Sequence, residues 1–267
     1  MIIARLIHNK RSLLACSLTC YSWYIASFPH LHHTLVTRPW QWLSEPKPRW
    51  PEQLRSMHKF GLLPLVKKLQ VRERPFQDKG AFSPERFSRR TLHHFWTLTN
   101  VQELGIEFLD IPHFMPRIQR YFKHLFPTVR SLSLRAPKGS HRQIIYFIGL
   151  FQHLEDLKLL YDFDPQDKSI DNGTPIPPFS PPLRGRLTVI GLRRRGLLGE
   201  MIDLFGGIRF RYMDIYNVEE MRLLLGACTK TLETLRLDPT DPHGERLSLK
   251  HAISSQQSCS FILSSGL

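Results

Sequence analysis

The clearest copy of a short apolar pattern in this sequence is Val129-Arg130-Ser131-Leu132-Ser133-Leu134. Its order is apolar-x-x-apolar-x-apolar, and the last two apolar side chains share one face of an extended strand because side chains alternate along a strand. The pattern occurs seven times in the chain. The copies run from Val66 to Val71, Val101 to Ile106, Val129 to Leu134, Leu154 to Leu159, Leu187 to Leu192, Phe210 to Ile215 and Leu232 to Leu237.

The spacing of these copies indicates a repeat. Their middle apolar residues lie 35, 28, 25, 33, 23 and 22 residues apart, and leucine-rich repeats are typically about 20–29 residues long. A strand and a helix of this size cannot cover their apolar faces alone, so neighbouring repeats must stack. Helical patterns fill the intervals at residues 83–98, 115–126, 142–151, 195–205 and 218–228. We therefore predict an α/β fold, an irregular leucine-rich-repeat solenoid of short parallel strands alternating with helices.

Composition divides the chain into four predicted segments. Helical patterns occupy residues 1–36, a linker rich in tryptophan and proline covers residues 37–60, the repeat array extends over residues 61–246, and a polar, disordered tail follows at 247–267. Within the array, the proline-rich stretch 162–182 predicts a long surface loop. Such a loop is either functional or disordered, and the sequence leaves both interpretations open.

Charge and cysteine content narrow the class of protein. The 267 residues carry a formal net charge of +14, which favours acidic partners. The basic residues are spread along the chain, so an electrostatic nucleic-acid binder is the less favoured interpretation. No apolar stretch approaches the roughly 20 residues of a membrane-spanning helix, and we expect no membrane partner. The four scattered cysteines predict reduced thiols and an intracellular location, cytoplasmic or nuclear.

The sequence offers no motif that organises catalysis. Serine, histidine and aspartate residues are plentiful, but none stands in a pattern that places a catalytic triad. Gly206-Gly207 lacks the further glycines and the lysine of a phosphate-binding loop, and a helix end explains the pair better. We predict that the protein is not an enzyme, with no catalytic residue and no cofactor.

Two clusters of potential metal ligands are also better explained without a metal. His30, His32 and His33 lie together, but no Cys or His pair at a suitable spacing would complete a zinc site. Cys16 and Cys20 lie four residues apart in a helical pattern, where we expect them to fill space in the core. We predict no metal site.

The N-terminal segment resembles a known module. Apolar residues at helical spacings, interrupted at Asn9-Lys10, predict two or three short helices. The stretch from Arg11 to Trp23 resembles the second half of an F-box, a leucine-rich, cysteine-containing helix that leads to a tryptophan. Together with the repeats up to residue 246, the chain is similar to F-box-like proteins found in large numbers in mushroom-forming fungi.

This resemblance implies a function. In the family, the F-box binds a Skp-type linker protein of a cullin–RING ubiquitin ligase, and the repeats hold the substrate. By position, Leu13, Leu14, Leu18 and Trp23 would form or support the docking face for the linker. The family's leucine-proline start is not in this sequence, so a free-standing repeat interaction module without ligase assembly remains an open alternative.

The repeat array predicts where a protein substrate would bind. The loops that follow parallel strands meet at one rim of such an array and commonly carry specificity. The candidate substrate surface consists of Arg135, Lys138, Arg142, Tyr161, Asp162, Phe163, Asp164, Asp238 and Asp241.

Overall fold

The computed structural model describes residues 2–6, 9–37, 49–72, 98–107, 111, 123–137, 139–160, 183–190, 197–204, 208–216, 221–228, 230–238 and 260–263. These residues form an α/β fold in which parallel strands alternate with helices, which confirms the predicted fold class at that level. The chain divides into two compact units, residues 1–105 and residues 106–267.

The first unit begins with three short helices, where the sequence predicts two or three. They are followed by two parallel strands, in which Leu35 lies opposite Leu69 and both side chains are buried. The Asn9 side chain caps the second helix, accepting a hydrogen bond of 3.1 Å from the backbone N–H of Ser12. The elements are α1 (Ile2–Arg5), α2 (Lys10–Ser17), α3 (Tyr21–His32), β1 (Thr34–Thr37), α4 (Arg49–Lys59), β2 (Lys68–Arg72) and β3 (Glu103–Glu107), and the boundary between the units lies within β3.

Two elements of the first unit are absent from the sequence prediction. β1 crosses the predicted boundary between the helical segment and the linker, and α4 lies inside the predicted linker at 37–60. β1 is only four residues long, too short for an alternating pattern to be recognised. In α4 the buried Leu54 and Met57 have helical spacing, but the surrounding prolines and tryptophans suggested a linker.

The second unit continues the alternation of helices and strands. Its elements are α5 (Lys123–Leu125), β4 (Ser131–Arg135), α6 (His141–Gly149), β5 (Asp156–Leu160), β6 (Arg184–Ile190), α7 (Leu197–Leu204), β7 (Arg209–Tyr216), α8 (Met221–Cys228), β8 (Thr234–Asp238) and β9 (Ser260–Leu263). The strands of this unit lie in chain order. Residues 260–263 of the predicted disordered tail form β9, whose backbone pairs in parallel with β8. The rest of the tail lies outside the described residues.

The core of the second unit is a row of side chains at one level of the sheet. Each residue of the row lies beside the next on a neighbouring strand and is at most 1% exposed. A second buried row, two residues further along the strands, contains Leu134, Leu159 and Val189. The first row consists of Leu132, Leu157, Leu187, Met213 and Leu235.

The register corrects one copy of the repeat. The sequence pattern assigns Leu187, Ile190 and Leu192 to the apolar positions, but Leu187 and Val189 are the buried pair and Ile190 is 40% exposed. Since Leu187 lies beside Leu157 and Met213, the spacings around it are 30 (187 − 157) and 26 (213 − 187) residues instead of 33 and 23. The error arises because Ile190 is apolar although it lies on the opposite face of the strand.

The helices of the second unit largely follow the predicted pattern. α6 begins one residue before the predicted start because Ser140 and Gln143 form a capping box, with hydrogen bonds of 3.0 and 3.3 Å. α7 packs against both α6 and α8, and His141 of α6 lies 3.3 Å from Glu200 of α7. Of the predicted helix at 115–126, only residues 123–126 are described, and of the predicted helix at 83–98 in the first unit, only Leu98 is.

We predict that Leu132→Asp unfolds the second unit. The substitution places a carboxylate without a partner in the buried row, which costs several kcal/mol, on the order of 3–5. Ser133→Asp is the matched control, since Ser133 lies on the opposite face beside Lys158. Thermal melting followed by circular dichroism should show a large fall in melting temperature for Leu132→Asp and little change for Ser133→Asp. Equal melting temperatures for the two variants would contradict the register.

A pair of glycine substitutions tests the backbone at β6. Gly185 has φ +95°, and a Cβ atom there would collide with the carbonyl oxygen of Glu155, the residue directly before β5. A Cβ atom added at Gly226 in α8 would meet no other atom within 4 Å. We expect Gly185→Ala to destabilise by about 1–3 kcal/mol and Gly226→Ala to stabilise by up to about 1 kcal/mol, both measured by urea unfolding. A Gly185→Ala variant that is as stable as the wild type would show that the β5–β6 backbone is placed incorrectly.

Candidate functional site

The helix α2 separates a buried face from an exposed one. Leu13 is fully buried, and Cys16, one turn later, is buried beside it on the same face. Leu14 and Leu18 lie on the other face, 54% and 79% exposed. Among the predicted linker-docking residues of α2 and its C-terminal end, Leu13 is therefore placed to support the surface, and Leu14 and Leu18 are placed to contact a partner.

The helix α3, which packs against α2, adds further exposed apolar side chains. Trp23, the fourth predicted docking residue, is 37% exposed. Large apolar side chains left in water in this number are typical of protein interaction sites. We use the term α2–α3 surface for Leu14, Leu18, Tyr21, Trp23, Tyr24 and Ile25, all of which are exposed.

An aromatic stripe runs along α3 from Tyr24, which belongs to this surface. The ring centroids of Tyr24 and Phe28 are 5.2 Å apart, and those of Phe28 and His32 are 4.8 Å apart. These distances suit favourable aromatic contacts. The stripe fixes the orientation of Tyr24 and joins the exposed start of α3 to its half-buried end.

The cysteines differ from their predicted arrangement. α2 ends at Ser17, so Cys20 is not in the same helix as Cys16, and its side chain is exposed instead of filling the core. Cys16, Cys20 and Cys228 are free thiols, and burial raises the pKa of Cys228 to about 11. Within the described ranges there is no group of three or more His, Cys, Asp or Glu side chains that could hold a metal ion.

The predicted substrate surface is only partly described. Arg135 is the last residue of β4, Asp238 is the last residue of β8, and Arg142 lies in the first turn of α6. The side chains of Arg135 and Arg142 are exposed. Lys138, Tyr161, Asp162, Phe163, Asp164 and Asp241, and with them the loop at 162–182, lie outside the described residues.

The chain turns sharply at this rim. Ala136, directly after Arg135, has φ +44°, and its N–H donates a 2.7 Å hydrogen bond to the carbonyl oxygen of Leu160. A positive φ is uncommon for a residue with a side chain and occurs where the surroundings impose it. The turn therefore holds Arg135 at a defined place on the carboxyl end of β4.

Of the outward-facing strand residues, the sequence prediction named only Arg135 and Asp238, at the ends of β4 and β8. We call the outward-facing residues of β4–β8 the outer strand face. Asp156 accepts a 3.1 Å hydrogen bond from Ser131 and lies 3.3 Å from the ammonium of Lys158, and Arg186 lies 3.4 Å from Asp214. The signal was available in the pattern itself, because its x positions are the ones that alternation turns outward.

Comparisons with protein-family models, with curated proteins and with solved structures found no match. In the part of the chain that the structure describes, no helix combines the length and the apolar character needed to cross a membrane.

Burial lowers the pKa of two histidines at the end of α3. Desolvation lowers the pKa of His32 below its ordinary value of 6.5, and the positive charge of Lys10 adds to this effect. Desolvation also lowers the pKa of His33, although Glu103 opposes the shift. The folded first unit therefore prefers both imidazoles neutral.

We predict that the first unit loses stability as the pH falls below about 6.5, the ordinary histidine value. As the pH falls, the unfolded chain protonates these histidines before the folded chain does. Their contribution to the free energy of unfolding is therefore complete above the unfolded pKa and is lost as the pH falls through the lower, folded pKa. Urea unfolding at neutral and mildly acidic pH measures the decline, which His32→Gln/His33→Gln should reduce. If the free energy of unfolding of that variant depends on pH as steeply as that of the wild type, His32 and His33 are not the cause of the decline.

Proposed function

We propose that the protein is a non-enzymatic interaction scaffold, a substrate-recognition adaptor of a Skp–cullin–F-box type ubiquitin ligase. The observation that carries the proposal is the exposure of Leu14, Leu18 and Trp23 at positions that resemble the docking residues of an F-box. In this proposal the α2–α3 surface binds the Skp-type linker, and the second unit binds the protein substrate.

The chemistry of the α2–α3 surface supports its role as a protein contact. Burying a leucine side chain stabilises a complex by roughly 1.5–3 kcal/mol, and aromatic residues commonly provide most of the binding energy in interfaces. Leu13 and Cys16 hold α2 in place from its buried side. Leu14 and Leu18 can therefore be substituted without disturbing the buried contacts that hold α2.

The second unit supports the substrate-binding half of the proposal. Its strands alternate with helices and stack in chain order, as in the leucine-rich-repeat type that we propose for it. Parallel strands bring Arg135 and Asp238 to the same edge of the sheet. An array of this kind offers a broad surface on which loops and outward strand positions vary without disturbing the core.

The free thiols are consistent with the intracellular location that such an adaptor requires. Disulfides are rare where the compartment is reducing, and Cys16, Cys20 and Cys228 are all unpaired. An intracellular site of action is therefore part of the proposal.

We predict that the full chain binds a fungal Skp-type linker through Leu14 and Leu18. Leu14→Asp/Leu18→Asp should weaken binding by at least about 100-fold, since each exposed leucine contributes about 1.5–3 kcal/mol when it is buried. Isothermal titration calorimetry with purified linker measures the affinity, and circular dichroism confirms that the variant is folded.

Phe60→Asp is the matched control, because Phe60 is another exposed apolar side chain of the first unit, 69% exposed and outside α2 and α3. It should leave linker affinity unchanged. If the folded wild-type protein does not bind the linker, the adaptor proposal fails, and the free-standing interaction module is the function that remains.

A further inference from the structure

A line of charged residues crosses the second unit where its strands begin. At one side of the line, Arg130 pairs with Glu155 at 3.1 Å. At the other side, Arg211 lies 3.7 Å from Glu233. Between these two pairs lie Arg184 and Arg209, the first residues of β6 and β7.

Arg184 and Arg209 are direct neighbours that carry the same charge. The register places them side by side on adjacent parallel strands, which are separated by about 4.8 Å. Both side chains are exposed. Among the described residues, neither guanidinium has a carboxylate within ion-pair distance. Like charges at neighbouring strand positions destabilise a sheet, so this pair has a cost to the fold that no ion pair with a described residue offsets.

The backbone is irregular at the same place. Gly185 has a positive φ, and the register between β6 and β7 shifts after it, so that Arg211 is an extra residue in β7. Bulges of this kind redirect side chains and are common beside functional sites. The shift leaves Arg209, Arg211 and Arg184 together at one margin of the sheet.

Outward positions next to this margin carry charges of both signs, with Asp156 beside Lys158 and Asp214 beside Arg186. The margin differs, because its two arginines are direct neighbours and form no ion pair with a described carboxylate. An anionic group from outside the chain would pair with them, because a guanidinium forms strong, directional hydrogen bonds with carboxylates.

We propose that Arg184 and Arg209 anchor an acidic segment of a partner protein, with the carboxylates of that segment on the two guanidinium groups. The inference rests on the proposed function, because it names the substrate class of the same strand array. The two guanidinium groups lie between the ion pairs Arg130–Glu155 and Arg211–Glu233, so they suit a short acidic segment better than a phosphate backbone, which needs an extended cationic surface. The exposed Tyr212, which lies beside Arg186, offers such a segment an apolar contact.

The test uses the purified full chain and a fluorescently labelled peptide of alternating glutamate and serine. We expect binding that weakens with added salt, as contacts between exposed charges do. Arg184→Gln/Arg209→Gln should weaken it by about three- to tenfold, in line with two exposed charge contacts. The matched control is Arg55→Gln/Lys59→Gln on α4, which removes the same charge from exposed positions elsewhere and should change the affinity less than twofold.

Several outcomes would overturn the inference. Equal weakening of peptide binding by the two double variants would show that binding depends only on net charge. If the wild-type chain does not bind the peptide, the proposed site does not exist. Tighter binding of single-stranded DNA, lost in Arg184→Gln/Arg209→Gln, would make the margin a nucleic-acid surface. Linker affinity measured on the same samples separates this inference from the adaptor proposal, since the arginine substitutions should leave it unchanged.

Discussion

Side-by-side burial of one apolar residue from each strand is the constraint on which the second unit depends. Leu132, Leu157, Leu187, Met213 and Leu235 occupy equivalent positions on five consecutive parallel strands and exclude water almost completely. A strand of five residues has too little apolar surface to be stable alone, so each one depends on its neighbours for burial. The same alternation that turns these residues inward turns the polar residues between them outward.

This constraint explains why much of the fold could be predicted from the sequence. A side chain that must be apolar in every repeat leaves a periodic signal, and the seven copies of the pattern coincide with β2 to β8. The signal becomes ambiguous where an outward residue is also apolar. Ile190 shows this, because its side chain made the wrong register of β6 equally acceptable until the neighbouring strands fixed Leu187 and Val189 as the buried pair.

Other features had no periodic signal to reveal them. β1 contributes one fully buried leucine, Leu35, and its place is defined by backbone pairing with β2. Cys20 follows Cys16 at helical spacing, but the helix ends between them, and local spacing does not report that end. The juxtaposition of Arg184 and Arg209 depends on a register between strands that begin 25 residues apart (209 − 184), which a single sequence does not specify.

In the proposed function, α2 and α3 bind the Skp-type linker, and the strands of the second unit bind the substrate. Hydrogen–deuterium exchange of the full chain, measured with and without a saturating Skp-type linker, tests this division most directly. We expect slower exchange in α2 and α3 when the linker is bound, because binding removes amides near the contact from solvent. Exchange in β4 to β8 should be unchanged. Protection confined to β4–β8, or no protection at all, would contradict this division.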